Sequence, residues 1–180
     1  PQRLPAHPDG LIPEEYKKRC NKYKYPPGMS PHDVYCWERR RIIDTYDYNT
    51  WLGVAACGYQ ASRVSKNKYP KKPVCENALR HCIYACCLCK SWPRDKADDI
   101  LWAHECGALH ATPYPDRVWR DSLVDIRWNT IGCNEARFGT CVSGQPGFSC
   151  IARVKRAIPE CNDDNEEGAP VSGPPAIGLD

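Results

Sequence analysis

Two histidines, two acids, two amides and one arginine recur along this chain at spacings that gather them by helical face. Asn77, Arg80 and His81 stand at i, i+3 and i+4, which places their side chains on one side of a helix. His104 and Glu105 interrupt an otherwise apolar run, Ile100-Leu101-Trp102-Ala103. Asp121, Asp125 and Asn129 repeat at i, i+4 and i+8, a polar stripe set between Leu123/Val124 and Ile131. If the helices pack together, these groups supply the parts of a hydrolytic site. A histidine beside a carboxylate serves as general base because its pKa lies near neutrality. An arginine holds a phosphate or carboxylate through two parallel hydrogen bonds. The candidate catalytic residues are therefore His81, His104, Glu105 and Asp125. The candidate substrate-binding residues are Asn77, Arg80 and Asn129. No metal ligand set is assigned, since no spacing forces one, and no cofactor is assigned. The competing reading is structural: Arg80–Asp125 or His81–Glu105 as a buried hydrogen-bonded network that fixes helix register.

Other chemistry is thinner. His32-Asp33 resembles the His-Asp pair of secreted phospholipases A2. No cysteine pair precedes it and no glycine-rich calcium loop is visible, so Asp33 reads as a first-turn acid. His110 reads as a helix-end histidine facing the C-terminal dipole. No serine stands in a Gly-x-Ser-x-Gly setting.

The elements that must position these groups are helical. Ser30-Pro31-His32-Asp33 starts a helix that runs to about Tyr46, with Ser as N-cap and Pro at the first position. Asn49 or Thr50 opens a second helix through Ser62, carrying Trp51, Leu52, Val54, Ala55 and Cys57. Asn67–Pro73 reads as a basic, proline-bounded loop. Pro73 to Trp92 forms a third helix, with Ala78, Cys82, Ala85 and Cys89 on one stripe and Pro93 as its stop. Asp95 caps a helix to Ala111, and Asp116 caps another from Arg117 to about Arg137, with Val118, Leu123, Ile126 and Ile131 as its apolar positions. Ser149 caps a short last helix through Ala157. The expected organisation is a basic Pro/Tyr-rich arm over 1–30, a helical domain over 31–160 and an acidic, then Gly/Pro-rich tail over 161–180. The fold class is mainly α: a disulfide-reinforced helical bundle with an irregular N-terminal arm and Gly/Pro loops.

The chain has 180 residues and 13 cysteines, so it is long enough to bury a core that disulfides reinforce rather than replace. Hydrophobic residues at 42%, with 6 Trp and 10 Tyr, exclude global disorder. Cysteines spread from Cys20 to Cys161 point to an oxidising, extracellular compartment. A chain that begins at Pro1, with Met29 as its sole methionine, is expected to be a mature secreted form. Cys82, Cys86 and Cys89 line one helical face while Cys87 points elsewhere, so adjacent Cys86 and Cys87 must link to different elements. Connectivity does not follow from sequence. A zinc site at Cys86-x-x-Cys89 lacks a second ligand pair, and disulfides are the expectation. The odd thirteenth thiol is either free or paired with another chain.

Charge is divided unevenly. Residues 1–74 hold 14 Lys/Arg against 7 Asp/Glu, and the remainder of the chain is net acidic. The basic half suits an anionic substrate or a membrane surface, although a solvated face is the simpler reading of runs this short. No specific nucleic-acid motif is present.

Asn77-Ala78-Leu79-Arg80-His81, then His104-Glu105, then Asp125-Ile126-Arg127-Trp128-Asn129-Thr130-Ile131-Gly132 occur in one order. This triple resembles an uncharacterised bacterial domain found at the C-termini of Rhs-repeat and other polymorphic toxin-like proteins. That pattern runs Asn-Ala-Phe-Arg-His, His-Glu and Asp-Leu-x-Asn-Asn-x-x-Gly. The resemblance spans roughly Thr50 to Arg137. Leu79 stands in place of the aromatic and Trp128 in place of the first amide of the pair. The cysteines, the arm and the tail have no counterpart in the bacterial pattern. The resemblance implies an α-helical domain whose polar residues meet in one site, and an effector or toxin-like ancestry. It supplies no reaction. The functional expectation is a secreted effector or toxin-like protein with hydrolase machinery acting on a phosphoester or lipid ester. The alternative is a non-enzymatic extracellular structural, defence or binding protein that associates through its aromatic surface or as a disulfide-linked homodimer or mixed pair.

Overall fold

A computed structural model describes residues 14–26, 28–110, 115–138, 141–142 and 149–162. Among the described residues seven α-helices follow one another: α1 (Glu14–Asn21), α2 (Pro31–Thr45), α3 (Tyr48–Lys68), α4 (Pro73–Ser91), α5 (Arg94–His110), α6 (Pro115–Glu135) and α7 (Cys150–Ala157). Short 3₁₀ turns cover Ala136–Phe138 and Pro159–Cys161, and no strand occurs among the described residues. The mainly α, disulfide-reinforced class expected from sequence is the class observed.

Local signals explain most helix starts. Ser30 caps α2 through a reciprocal capping box, its Oγ accepting from the Asp33 amide while the Asp33 carboxylate accepts from the Ser30 amide. Asp33 therefore serves the helix start. Asp47, rather than Asn49 or Thr50, caps α3, accepting from the Thr50 amide at 2.6 Å and from its hydroxyl at 3.0 Å. α3 also runs six residues past Ser62 into the stretch read as a loop, because Val64 and Ser65 are buried and hold it against its neighbour. Asp95 and Asp116 lie inside the first turns of α5 and α6 rather than at their caps. Ser149 caps α7 as expected. The arm over 1–30 is not wholly irregular, since it contains α1. That helix is held by Cys20–Cys106 and by Tyr16 and Arg19 against Trp102, so tertiary contacts make it where periodicity is missing. The side chain of His110, most of the Gly-rich loop after Gly139 and the tail beyond Asn162 lie outside the described residues.

α4 is the central element. It packs against α6, α3, α7 and α5, and buries Ala78, Leu79, Cys82, Ile83, Ala85, Cys86 and Leu88. Its five cysteines pair with five different segments: Cys75–Cys161, Cys82–Cys150, Cys86–Cys141, Cys87–Cys57 and Cys89–Cys133. Cys86 and Cys87 thus reach different segments, and Cys89 is bonded to Cys133 instead of forming a zinc pair with Cys86. The thirteenth cysteine is Cys36, exposed and unbonded on α2. No helix is long and apolar enough to cross a membrane among the described residues.

Three apolar clusters flank this helix. Leu79, Ile83, Trp128 and Val154 fill one, between α4, α6 and α7. Ile42, Trp51, Val54, Leu88, Ile100 and Leu101 fill the second, between α2, α3, α4 and α5. Tyr23, Tyr25, Val34 and Ala103 seat the arm in the third. Leu52, read as part of the apolar face of α3, is instead exposed.

Asp99 on α5 ties these parts together. It accepts from Lys22 at 2.8 Å, from Tyr46 at 3.0 Å and from the Arg41 guanidinium. Burial works against its ionisation, but the hydrogen bonds from Lys22 and Arg41 and the charge of Arg41 outweigh it and hold the carboxyl below its usual range. Asp99→Asn, which leaves the largely buried Arg41 unpaired, is expected to cost about 3 kcal/mol at neutral pH. A depressed acid stabilises the fold above its unfolded pKa and loses that contribution as pH falls through the folded one. The gap between wild type and Asp99→Asn in urea titrations is therefore largest near pH 7 and closes below about pH 4.

Candidate functional site

The three polar segments lie on α4, α5 and α6, and the packing of those helices brings all seven sequence-selected residues into one cluster. The approach of α6 to α4 depends on Gly132. A Cβ there would run into the Cys82 carbonyl and the Ala85 side chain, so only glycine lets the backbones come this close. Gly132 stands one turn beyond Asn129, and its contact fixes the depth at which Asp125 and Asn129 face α4. Gly107 does the same between α5 and α2, where a Cβ would meet Glu38 Oε1, Val34 and the Tyr25 hydroxyl.

His81 lies at the centre, flanked by an acid at each ring nitrogen. Nδ1 is 3.5 Å from Glu105 Oε1 and Nε2 is 3.4 Å from Asp125 Oδ2. Each acid is held by an amide. Asn129 Nδ2 donates to Glu105 Oε1 at 2.9 Å, and Asn77 Nδ2 donates to Asp125 Oδ1 at 2.7 Å. Arg80 donates to Asn77 Oδ1 at 2.6 Å, which settles the orientation of that amide. The direct Arg80–Asp125 pair considered from sequence is thus relayed through Asn77. Asp121 of the same polar stripe is exposed.

His104 sits beside this chain, its ring 6.4 Å from that of His81. It pairs through Nδ1 with Glu38 Oε2 at 3.2 Å, and Tyr25 donates to the other oxygen of Glu38 at 3.3 Å. Glu38 belongs to the site, yet nothing in its local pattern marks it. It stands among Arg39, Arg40 and Arg41 on α2, where an acid reads as a surface partner. A small residue at Gly107, one turn beyond His104, is the only trace of the close approach.

The electrostatics divide the roles. Burial, then the His104 and Arg80 cations, hold His81 down at about 3 against a smaller opposing effect of Asn129, so it is neutral at pH 7. His104 loses some proton affinity to burial, but the hydrogen bond and charge of Glu38 outweigh this and carry it to about 9. It is therefore a cation at neutral pH. Burial and the nearby Asp125 push Glu105 up to about 7, partly offset by His104. Burial also raises Asp125.

His81, His104, Arg80 and Glu38 form the polar end of a cavity of about 430 Å³ between α2, α3, α4 and α5. Its walls are Tyr35, Ile42, Trp51, Val54, Tyr59 and Tyr84. His104 has 52% of its side chain accessible despite its enclosed position, because its ring faces this space. Glu105 and Asn129 line a second, smaller depression on the other side of His81. Among the described residues two groups of side chains have donor atoms close enough for a metal ion: His81, Glu105 and Asp125, and Cys89, Asp98 and Cys133. The sulfurs of the second are bonded to each other and unavailable.

Comparison with family models, with curated proteins and with solved structures yields no match.

Gly132→Ala is expected to lower stability by about 2–3 kcal/mol, since the new methyl meets backbone rather than a mobile side chain. The same variant should disturb the near-ultraviolet dichroism of the buried Trp128, because α6 must move off α4. Unchanged stability and dichroism would show that Gly132 does not set this approach.

Proposed function

We propose that this chain is a secreted hydrolase of effector or toxin type that cleaves an ester or phosphoester carried by a molecule with an apolar tail. The observation that carries this reading is that His81, His104 and Arg80, with Glu38 and Arg41, line a cavity whose remaining walls are aromatic and aliphatic. The tail lies against Tyr35, Trp51, Val54, Tyr59 and Tyr84, and the reacting ester lies at the polar end. Tyr35 and Tyr59 are exposed at 53% and 70%, so the aromatic wall extends to the surface, where a lipid would enter.

The division of charge suits the chemistry. Water attacks the carbonyl or phosphoryl centre and gives up a proton to the His81–Glu105–Asp125 cluster. The His104 cation and Arg80 stabilise the negative charge that develops on the substrate oxygen. His104 then passes a proton to the leaving alkoxide, and an acid and an alcohol result. Export is supported by six disulfides. The toxin-like ancestry rests on the ordered sequence triple. The oxidised protein should hydrolyse p-nitrophenyl esters or phosphodiesters with a preference for long acyl or alkyl chains. His104→Gln should lower kcat by 10²-fold or more while the helical fold is retained, with a lower Tm because Glu38 loses its partner. If His104→Gln retains full activity, or if no chain-length preference appears, the assignment fails.

A second reading has one observation in its favour. Cys36 is exposed and unbonded, so a non-enzymatic protein that couples covalently to another chain would use it. Such a protein runs as a dimer or mixed species on a non-reducing gel and as a monomer after reduction. Cys36→Ser should remove the larger species. A monomer under both conditions argues against this reading.

A further inference from the structure

The geometry points to a divalent metal site formed by His81, Glu105 and Asp125, taking a first-row ion of the zinc type. This deepens the hydrolytic reading and rests on it for its role, although the binding itself stands apart from any activity. One ring nitrogen and one oxygen of each acid lie within 4.8 Å of one another. A tetrahedral ion with bonds of about 2.1 Å holds its ligands roughly 3.4 Å apart, so a modest contraction closes the set. The acids approach different ring nitrogens, Glu105 at 3.5 Å from Nδ1 and Asp125 at 3.4 Å from Nε2, both long for hydrogen bonds, so an ion on one nitrogen draws the opposite carboxylate toward it.

Two neighbouring buried atoms without a well-formed hydrogen bond are the second sign that something is to be bound here. His81 Nδ1 and Asn129 Oδ1 are buried without a hydrogen-bond partner, on side chains that are only 6% and 5% exposed. A buried polar atom without a partner is costly and rare, and a cation between Nδ1 and Glu105 satisfies the first of them. The surroundings are those of a ligand set. Asn77 and Asn129 each donate to one acid and orient it, and Arg80 fixes Asn77 in turn. Asp125 is bonded to Asn77 through Oδ1 and keeps Oδ2 toward His81. A neutral imidazole with two carboxylates suits zinc or manganese, whereas calcium asks for six to eight oxygens. An ion here would lower the pKa of a bound water, and so would take over the activation of water assigned above to the metal-free cluster, whose atoms would then be ligands. His104 and Arg80, both cations, stay outside the ligand set.

The test is calorimetric titration of Zn²⁺, then Mn²⁺, into the full oxidised chain after dialysis against chelator. It is run in a Cys36→Ser background, because Cys36 Sγ lies 3.9 Å from the His32 ring and is a second, surface attractor for zinc. One ion should bind per chain. Glu105→Gln and Asp125→Asn, which keep shape, should each weaken it at least 100-fold, and His81→Ala should abolish it. Saturating Zn²⁺ should also raise Tm in the parent and not in the variants, which controls for any variant that folds poorly. No binding below about 100 μM in the parent, or binding unchanged by the two isosteric variants, overturns the site. If zinc binds as described but no ester is cleaved, the hydrolytic reading falls and the ion site stands. If esters are cleaved equally with and without chelator and no ion binds, the reverse holds.

Discussion

The structure depends on how α4 is held. This helix carries Asn77, Arg80 and His81 on the side facing α5 and α6, and five half-cystines around the rest of its surface. Burying two acids and an imidazole away from water works against folding unless their partners are fixed in place. Cross-links that close loops of 30 to 86 residues remove much of the freedom of the unfolded chain. Bonds of this span contribute about 3–5 kcal/mol each in the chain-entropy picture, before non-additivity. The covalent frame thus offsets the cost of a buried polar cluster that hydrophobic packing alone would tend to exclude.

Much of this was legible in the residues. The i, i+3, i+4 spacing of Asn77, Arg80 and His81 and the polar stripe of Asp125 and Asn129 needed only helical geometry to face one another. Capping at Ser30 and Ser149 was legible because it is local chemistry. The pairing of Cys86 and Cys87 with different elements followed from their positions on one helix. What escaped was decided by tertiary contact. α1 forms against Trp102 and a disulfide, without a periodic pattern of its own. Glu38 joins the site only because Gly107 lets α2 approach α5, and no spacing within α2 encodes that. Asp99 gathers Lys22, Arg41 and Tyr46 from 53 to 77 residues away, a convergence that has no signature in a linear chain.

The polar cluster forms a wall between two hollows. His81 faces the larger, aromatic-lined one, while Glu105 and Asn129 face the smaller. Neither a closed core nor an open surface patch has this form. A purely structural network would gain from full enclosure, where every hydrogen bond is satisfied. This one leaves His104 facing open space and two buried polar atoms, His81 Nδ1 and Asn129 Oδ1, without a well-formed hydrogen bond. Those are the features expected where a polar group is kept for a ligand rather than for the fold.

The pairing pattern also has a consequence for biogenesis. Five of the six bonds end on a single helix, so oxidation is a search by five separate segments for the correct rung of one ladder. Cys82, Cys86 and Cys89 sit about a turn apart on one side, and a slip by one rung would rotate or shift α4 against its neighbours. Asn77, Arg80 and His81 would move with it. The correctness of the cross-links and the assembly of the polar cluster are therefore one event, and a chain made in a reducing compartment would carry every residue of the site without possessing the site.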